Sequence, residues 1–549
     1  MHADTATLID VLYSQNQYVI PIFQRYYSWR KSDWENIWDE ITDLRDPEQG
    51  TSAHFMGSIV LDSQKQKSLS KPAFQVIDGQ QRLMTFTLVM CALRNAAKRQ
   101  GFEKLCEAIE ETTLLDPHEE GNHRFRVYPR HRDRDSFMAA VEGNGKTDGR
   151  IAEALSFFSE RVEQLEEAKT EKDLRNFFDL IKWRIEFVHI ILDGENVYEI
   201  FRSLNSTGQP LSEADLIRNF VFMHVSLDEQ DRFDDKLWKP IERHFEDSEG
   251  QLDGGALSTF FRAFLMRTGR YTKPTATFQE FERRYSGAMF DPEDLAIQLG
   301  WHAGYYDVIR GREKHRSERV EAALAKLRGL DASTTRSLLL NLLHRREEGE
   351  LSDEDLAQCI EMVSGFILRR YVCNVGSRAY SRWFVSACRD LGNQPVEGLQ
   401  SFLVAGREYP DDVRFEQCLL RFKLYQSDYG RHVLERLERS YPHKESADIS
   451  QAEIEHIMPQ TLDEEWKHDL GHEHERIHAE WLHTLGNLTL SAYHKSVSNR
   501  AFRVKRDEYE RSKITLTHQL ATKTAWGEDE ILARGTELAG RATTIWIGP

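Results

Sequence analysis

Cysteine is scarce, with six in 549 residues, Cys91, Cys106, Cys359, Cys373, Cys388 and Cys418, and no C-x-x-C pair among them. This scatter excludes a disulfide framework and a cysteine-rich zinc module, and it fits the reduced thiols of a cytoplasmic protein. Long apolar runs are missing as well. No stretch approaches the roughly 18 apolar residues that a membrane span requires, and the first residues are polar, without the cationic-then-apolar order of a secretory signal. The expectation is a soluble intracellular chain with no membrane partner. Positive charge is in deficit, with 72 Lys+Arg against 90 Asp+Glu and a net charge of −18. Such a chain is not coated in phosphate-binding side chains, so contact with any polyanion must be local. No internal repeat or low-complexity tract stands out, which argues against repeat architectures.

What is present is more chain than one hydrophobic core can organise, so two or three domains are expected. Residues 1–225 mix short β-like runs, Tyr18-Val19-Ile20 and Met56-Gly57-Ser58-Ile59-Val60-Leu61, with helical stretches such as Leu83 to Arg99. From 226 to 440, apolar residues recur at 3–4 spacing in Arg319–Leu330, Thr334–Glu347 and Asp353–Tyr371, predicting a helical connector. Within it, Arg369-Arg370-Tyr371 suggests an interdomain contact. The composition turns polar at Tyr441–Ser446, and a segment rich in His, Trp and Asn follows, so the last domain is placed at 441–549. The predicted fold class is α+β, multidomain and mostly helical.

That last segment carries the densest chemistry. Ile454-Glu455-His456-Ile457-Met458-Pro459 sets an acid beside a histidine at the end of a β-like run, and Gly486-Asn487-Leu488-Thr489-Leu490 puts an Asn in a turn before another. His494, Asn499 and a helix-like stretch with Lys505 come next, giving strand, turn, strand, helix. Phosphodiester hydrolysis needs a base for water, a cation for the phosphate charge and a group that orients the base. His456 is the candidate base, Asn487 the group that holds its imidazole, and Glu455 with His494 the ligands of Mg²⁺ or of Mn²⁺, Co²⁺ or Ni²⁺, which imidazole suits better. Arg500, Arg503, Lys505 and Arg506 form a basic cluster able to touch backbone phosphates from one helix.

A competing pattern lies between the two runs. His474-Glu475-Arg476-Ile477-His478 matches H-E-x-x-H, which on a helix presents two zinc-binding histidines and a glutamate base. The longer metallopeptidase pattern fails because Trp481 stands where a glycine is required.

At the other end, Ile20-Pro21-Ile22-Phe23-Gln24-Arg25-Tyr26-Tyr27-Ser28-Trp29 and Val76-Ile77-Asp78-Gly79-Gln80-Gln81-Arg82 set Gln, Arg and Asp against apolar runs, where such groups demand partners. The second run reads as a strand, an Asp-Gly turn and a helix starting near Gln80, a place where N–H groups and Arg82 could hold a phosphate. Gly145-Lys146-Thr147 is not a P-loop, because Ala140 occupies the required glycine position and no strand precedes it. The aromatics Phe23, Tyr26, Tyr27 and Trp29 could stack on a base or meet a chemical mark.

In combination these motifs point further. E-H-I-x-x-P, G-N-L-T-L and S-N-x-x-F-x-x-K resemble the nuclease domain of GmrSD-like modification-dependent (type IV) restriction enzymes, a branch of the HNH or ββα-metal superfamily. The third position, often Asn in these relatives, is His494 here, with Asn499 as the alternative ligand. The N-terminal motifs, with Phe201-Arg202-Ser203-Leu204-Asn205-Ser206-Thr207-Gly208 and Asp215, resemble the ParB/sulfiredoxin-related regulatory domain of GmrSD, BrxU and SspE-type proteins. The resemblance implies a nucleotide or modified-DNA site of Gln24, Arg25, Asp78, Gly79, Gln80, Gln81 and Arg82 supported by Asn205, Gly208 and Asp215. Asp78 and Arg82 would act in hydrolysis of a nucleoside triphosphate (GTP, UTP, CTP or ATP). The implied partners are double-stranded modified DNA and a nucleotide, with a homodimer compatible.

Overall fold

The alternating runs of the first 225 residues become strands of one mixed sheet. In the computed structural model these are β1 (His2–Thr7), β2 (Gln17–Ile20), β3 (His54–Asp62), β4 (Ala73–Asp78), β5 (Val127–Pro129) and β6 (Ile185–Leu192). The structure describes the chain apart from residues 1, 14–15, 23, 46–52, 63–72, 131–132, 166–169, 193–211, 227–228, 288, 443–446 and 492–498.

The strand order is β1-β6-β3-β4-β2-β5. β3 runs parallel to β6 and antiparallel to β4, and β2 runs parallel to both β4 and β5. Successive side chains leave opposite faces of a strand. Ile59, Leu61 and Val76 accordingly join the main core, with Leu83, Phe86 and Met90 of the helix Gln80–Arg99. Their neighbours Val60 and Ile77 take the other face, where Leu192 of β6 clusters with them and Leu216 of the helix Glu213–Met223 packs against them.

The chain divides into two compact units. One comprises Met1–Pro240, Leu252–Ser258 and Phe281–Leu295, and contains the sheet; the other comprises Ile241–Gln251, Thr259–Glu280 and Ala296–Pro549. The protein is mostly helical, and the periodic stretches of its middle appear as Glu318–Arg328, Arg336–Glu347 and Asp353–Val372. The last opens on a capping box, in which Ser352 and Asp355 satisfy each other's backbone N–H groups.

The paired arginines near its end lie within the second unit, where Arg369 joins the helical stretch placed at 226–440 to Trp546 of the segment placed at 441–549. Arg369 is fully buried, donating to Trp546 O at 2.7 Å and pairing with Asp412 at 2.6 Å. Arg370 donates to Gly376 O and to the Tyr380 hydroxyl.

Toward the C-terminus β7 (Glu453–His456) and β8 (Leu488–Ser491) form an antiparallel pair, with His456 opposite Leu488, and the helix Phe502–Glu510 follows. The expected order of strand, strand and helix is therefore present. Among the described residues no helix is long and apolar enough to cross a membrane.

Candidate active site

Glu455 and His456 are adjacent on β7, so their side chains leave opposite faces of the hairpin. On one face the carboxylate of Glu455 accepts from Lys505 Nζ at 2.7 Å, and the same ammonium donates to His456 O at 2.7 Å. Both side chains are withdrawn from water. Burial lowers the Lys505 pKa, and Glu455 opposes that shift. Lys505 is therefore not one of the phosphate contacts expected of its helix. It lies on the apolar stripe with Phe502 and Tyr509, all three buried.

On the other face lie residues that the motifs did not single out. His456 Nε2 is 3.1 Å from His483 Nδ1, and Tyr425 covers both rings, its centroid 4.3 Å from His456 and stacked 5.4 Å from His483. Gln460 Nε2 approaches His456 Nδ1 at 3.4 Å and the Tyr425 hydroxyl at 3.5 Å. With the Gln460 amide nitrogen as donor, this arrangement fits the tautomer that has its lone pair on His456 Nδ1 and its proton on Nε2, toward His483. Burial lowers the His483 pKa, with Lys423 and His478 adding to it. In that tautomer His456 Nδ1 carries the lone pair that a general base needs.

Asn487 does not hold the imidazole, because its amide is fully occupied elsewhere. Its Oδ1 accepts from Met458 N at 2.7 Å and Trp526 Nε1 at 3.1 Å, and its Nδ2 donates to Met458 O at 3.0 Å and Leu482 O at 2.9 Å. It acts on His456 only indirectly, by fixing the chain immediately after β7. Arg534 supports the same turn, donating to the carbonyls of Gly486 and Leu488, and burial lowers its guanidinium to about 10.

His494 lies outside the described residues. Asn499 and Arg500 are exposed, Arg506 is half-buried, and Arg503 pairs with Glu465 at 2.8 Å on the surface. Among the described residues no group of three or more His, Cys, Asp or Glu is placed to hold a metal ion.

The H-E-x-x-H residues do sit on a helix, His474–Trp481, but both histidines are engaged with backbone. His474 Nδ1 lies 3.0 Å from Gly471 O and His478 Nε2 lies 3.0 Å from Pro459 O, while Glu475 is exposed. His478 thus braces the loop after β7.

In the sheet-bearing unit, β4 ends at Asp78 and Gly79 turns the chain into the helix Gln80–Arg99 with φ +91°, where a Cβ would lie 3.0 Å from Ser58 O. Gln24 donates to Ile77 O, Gln80 to Arg25 O, and Gln81 to Tyr26 O while accepting from Ser28 N. All three glutamines are buried. Gln24 and Gln81 therefore serve to stitch the 24–29 loop to the turn, whereas Gln80 Oε1 is left without a hydrogen-bond partner.

The turn also gathers charge. Burial lowers the Arg25 pKa against the opposing influence of Asp215, Asp78 and Asp33, so Arg25, Asp78 and Asp215 are brought together. Asp215 also caps its own helix by accepting from Ser212. Arg82 donates to Ser58 O at 2.6 Å and lies over Gly57, whose missing Cβ makes the room.

Among the aromatics, Tyr27 is a core residue with its hydroxyl bonded to Thr85 and Trp34, so it cannot stack on a base. Trp29 packs against that core and Tyr26 lies 5.0 Å under Arg218. Phe23, Asn205 and Gly208 lie outside the described residues.

The comparisons with known proteins match both regions. The family model for the GmrSD restriction endonuclease N-terminal domain covers residues 8–222, and that for the GmrSD restriction endonuclease C-terminal domain covers residues 409–541. Comparison with curated proteins finds no match.

Proposed function

Because the chain belongs to the GmrSD restriction endonuclease family, whose partner is DNA, we propose that it cuts modified DNA by HNH-type, metal-dependent hydrolysis under nucleotide control. The observation that carries this reading is the His456 imidazole, buried at the end of β7 with Nε2 3.1 Å from His483. A water proton passes to His456 as a new P–O bond forms and the bond to the sugar oxygen breaks, that oxygen leaving with the electron pair and taking a proton from solvent. His483, partly exposed, holds the Nε2 proton and keeps the ring in one orientation.

A bound divalent cation would stabilise charge on the phosphate. Glu455 does not fit as its ligand, because its carboxylate is already neutralised by Lys505 on the face opposite His456. His494 and Asn499 remain as donors, and an imidazole among them favours Mn²⁺, Co²⁺ or Ni²⁺ alongside Mg²⁺.

The regulatory half rests on the Asp78-Gly79 turn. A helix start and Arg25 offer donors to phosphate there, and the buried, unpartnered Gln80 Oε1 offers an acceptor to a hydroxyl or amino group, a combination suited to a nucleoside triphosphate such as GTP, UTP, CTP or ATP. Selectivity for modified DNA belongs to this domain, since backbone contacts by Arg500, Arg503 and Arg506 carry no sequence information.

The test is cleavage of matched modified and unmodified phage DNA, with and without each nucleotide, in Mg²⁺, Mn²⁺ or chelator. Modified DNA should be cut only with metal, and nucleotide should change the rate. Equal cutting of both DNAs by the full chain would remove the sensing role, and cutting in chelator would remove the metal.

A further inference from the structure

A cavity of about 280 Å³ opens in the second unit, remote in sequence from every motif above. Three arginines line it, Arg310, Arg328 and Arg336, over a floor of Leu324, Leu327 and Leu339. Two of the guanidinium groups are matched by carboxylates, Arg310 by Asp307 at 2.5 Å and Arg328 by Glu321 at 2.6 Å. Arg336 is held differently, donating to the Tyr306 hydroxyl at 3.0 Å, and among the described residues it has no carboxylate partner. Tyr306 also lies beneath Arg310 at 4.8 Å. Arg310 Nε is buried without a hydrogen-bond partner. Arg336 thus brings to the cavity a guanidinium fork that no carboxylate neutralises, a group suited to a phosphate.

The rim supplies the complementary chemistry. Asp331, in the left-handed region at φ +43°, and Ser333 line the same cavity. A carboxylate there repels a bare anion and accepts from hydroxyls. Guanidinium donors for a phosphate, acceptors for hydroxyls and an apolar floor describe one ligand class. The volume suits a body no larger than a mononucleotide.

A chain of contacts also runs from the rim of the cavity to His456. Tyr429 donates to Leu330 O at 2.9 Å, next to Asp331, and His432 fills the space where a Cβ at Gly329 would be. Four residues before Tyr429, Tyr425 covers His456 and His483, and its N–H donates to His483 O at 3.2 Å. A shift of the Gly329–Asp331 turn therefore has a short path to the catalytic ring.

We propose that this cavity is an effector site for a small hydroxylated phosphomonoester, of sugar-phosphate to nucleoside-monophosphate size, whose occupancy is transmitted to His456 through Tyr429 and Tyr425. The transmission rests on His456 being the base; the binding does not.

The test titrates the full chain with ribose 5-phosphate and with AMP by calorimetry. One of the two probes should bind the wild-type protein saturably, and Arg336→Gln should weaken that binding tenfold or more. Ser333→Trp, at an exposed rim position, should block it as well, which separates loss of the site from loss of the fold. Asp78→Asn should leave binding intact, since its site is the N-terminal turn. Absence of binding by both probes, or binding that survives Arg336→Gln and Ser333→Trp, overturns the site. A saturating probe should change the DNA cleavage rate threefold or more, and Tyr429→Phe should remove that change while retaining binding. A wild-type rate unmoved by saturating probe overturns the effector role. His456→Ala should abolish cleavage with binding unchanged, so failure of the nuclease reading is seen separately.

Discussion

Lys505 Nζ stands 2.7 Å from Glu455 Oε1 with both side chains out of water, joining the helix Phe502–Glu510 to the strand that ends in His456. Removing one partner of a buried ion pair leaves an uncompensated charge, at a cost of about 3–5 kcal/mol. Lys505→Met should lower stability to chemical denaturation by that amount, and Glu455→Gln with Lys505→Met should recover most of it. A Lys505→Met protein with wild-type stability and weakened DNA binding would return this residue to the phosphate contacts.

Asn487 should behave as a structural clamp. Asn487→Ala orphans Met458 N–H and C=O, the Leu482 carbonyl and Trp526 Nε1, and each buried group left unsatisfied costs about 1–3 kcal/mol. Asn487→Asp should be at least as damaging, because it turns an acceptor toward two carbonyls. Urea unfolding would measure both. An Asn487→Ala protein of unchanged stability that has lost only its cleavage activity would contradict the clamp.

These two residues show what the sequence makes legible. The strands at Glu453–His456 and Leu488–Ser491 follow from short alternating runs, and the turn at Gly79 from an Asp-Gly pair between strand and helix. The burial of Lys505 was also readable, since it stands three residues after Phe502 and four before Tyr509, on one helix face. Tyr425 and His483 were not. They reach His456 from segments 31 and 27 residues away in sequence, through a short helical turn and a loop that no hydrophobic period marks. The three glutamines of the N-terminal motifs look like ligand-lining groups in sequence, yet they mainly satisfy loop backbone, a distinction that only tertiary packing makes.

The face that carries His456 and His483 gives a pH dependence. His483 is held below its ordinary pKa by burial first and then by Lys423 and His478. It therefore stays neutral, and able to accept from His456, until the pH falls below the usual histidine range near 6.5. Protonation of His483 should therefore curtail cleavage only below that range. Lys423→Met removes a repelling cation, raises the His483 pKa and should move the acid limb upward. His456→Ala should lower the rate on the order of 10²–10⁴-fold at all pH values. An acid limb unmoved by Lys423→Met would detach His483 from the reaction.

The N-terminal turn supplies the last test. Gly79 combines φ +91° with a position where a Cβ would lie 3.0 Å from Ser58 O and 3.2 Å from Ile59 Cα, so alanine is opposed by both conformation and contact. A non-glycine residue forced into such a conformation costs about 1–3 kcal/mol. The strain would fall where Gln80 and Gln81 hold Arg25 and Tyr26, and where Asp78 approaches Arg25. Gly79→Ala should therefore lower the stability of the sheet-bearing unit and abolish nucleotide hydrolysis. Arg82→Ala should abolish hydrolysis with a smaller loss of stability, because Ser58 O, its partner at 2.6 Å, belongs to a half-buried residue that water can reach. Thermal unfolding and phosphate release, measured on both variants, separate the two effects. Full nucleotide hydrolysis by Gly79→Ala would place the nucleotide elsewhere in the chain.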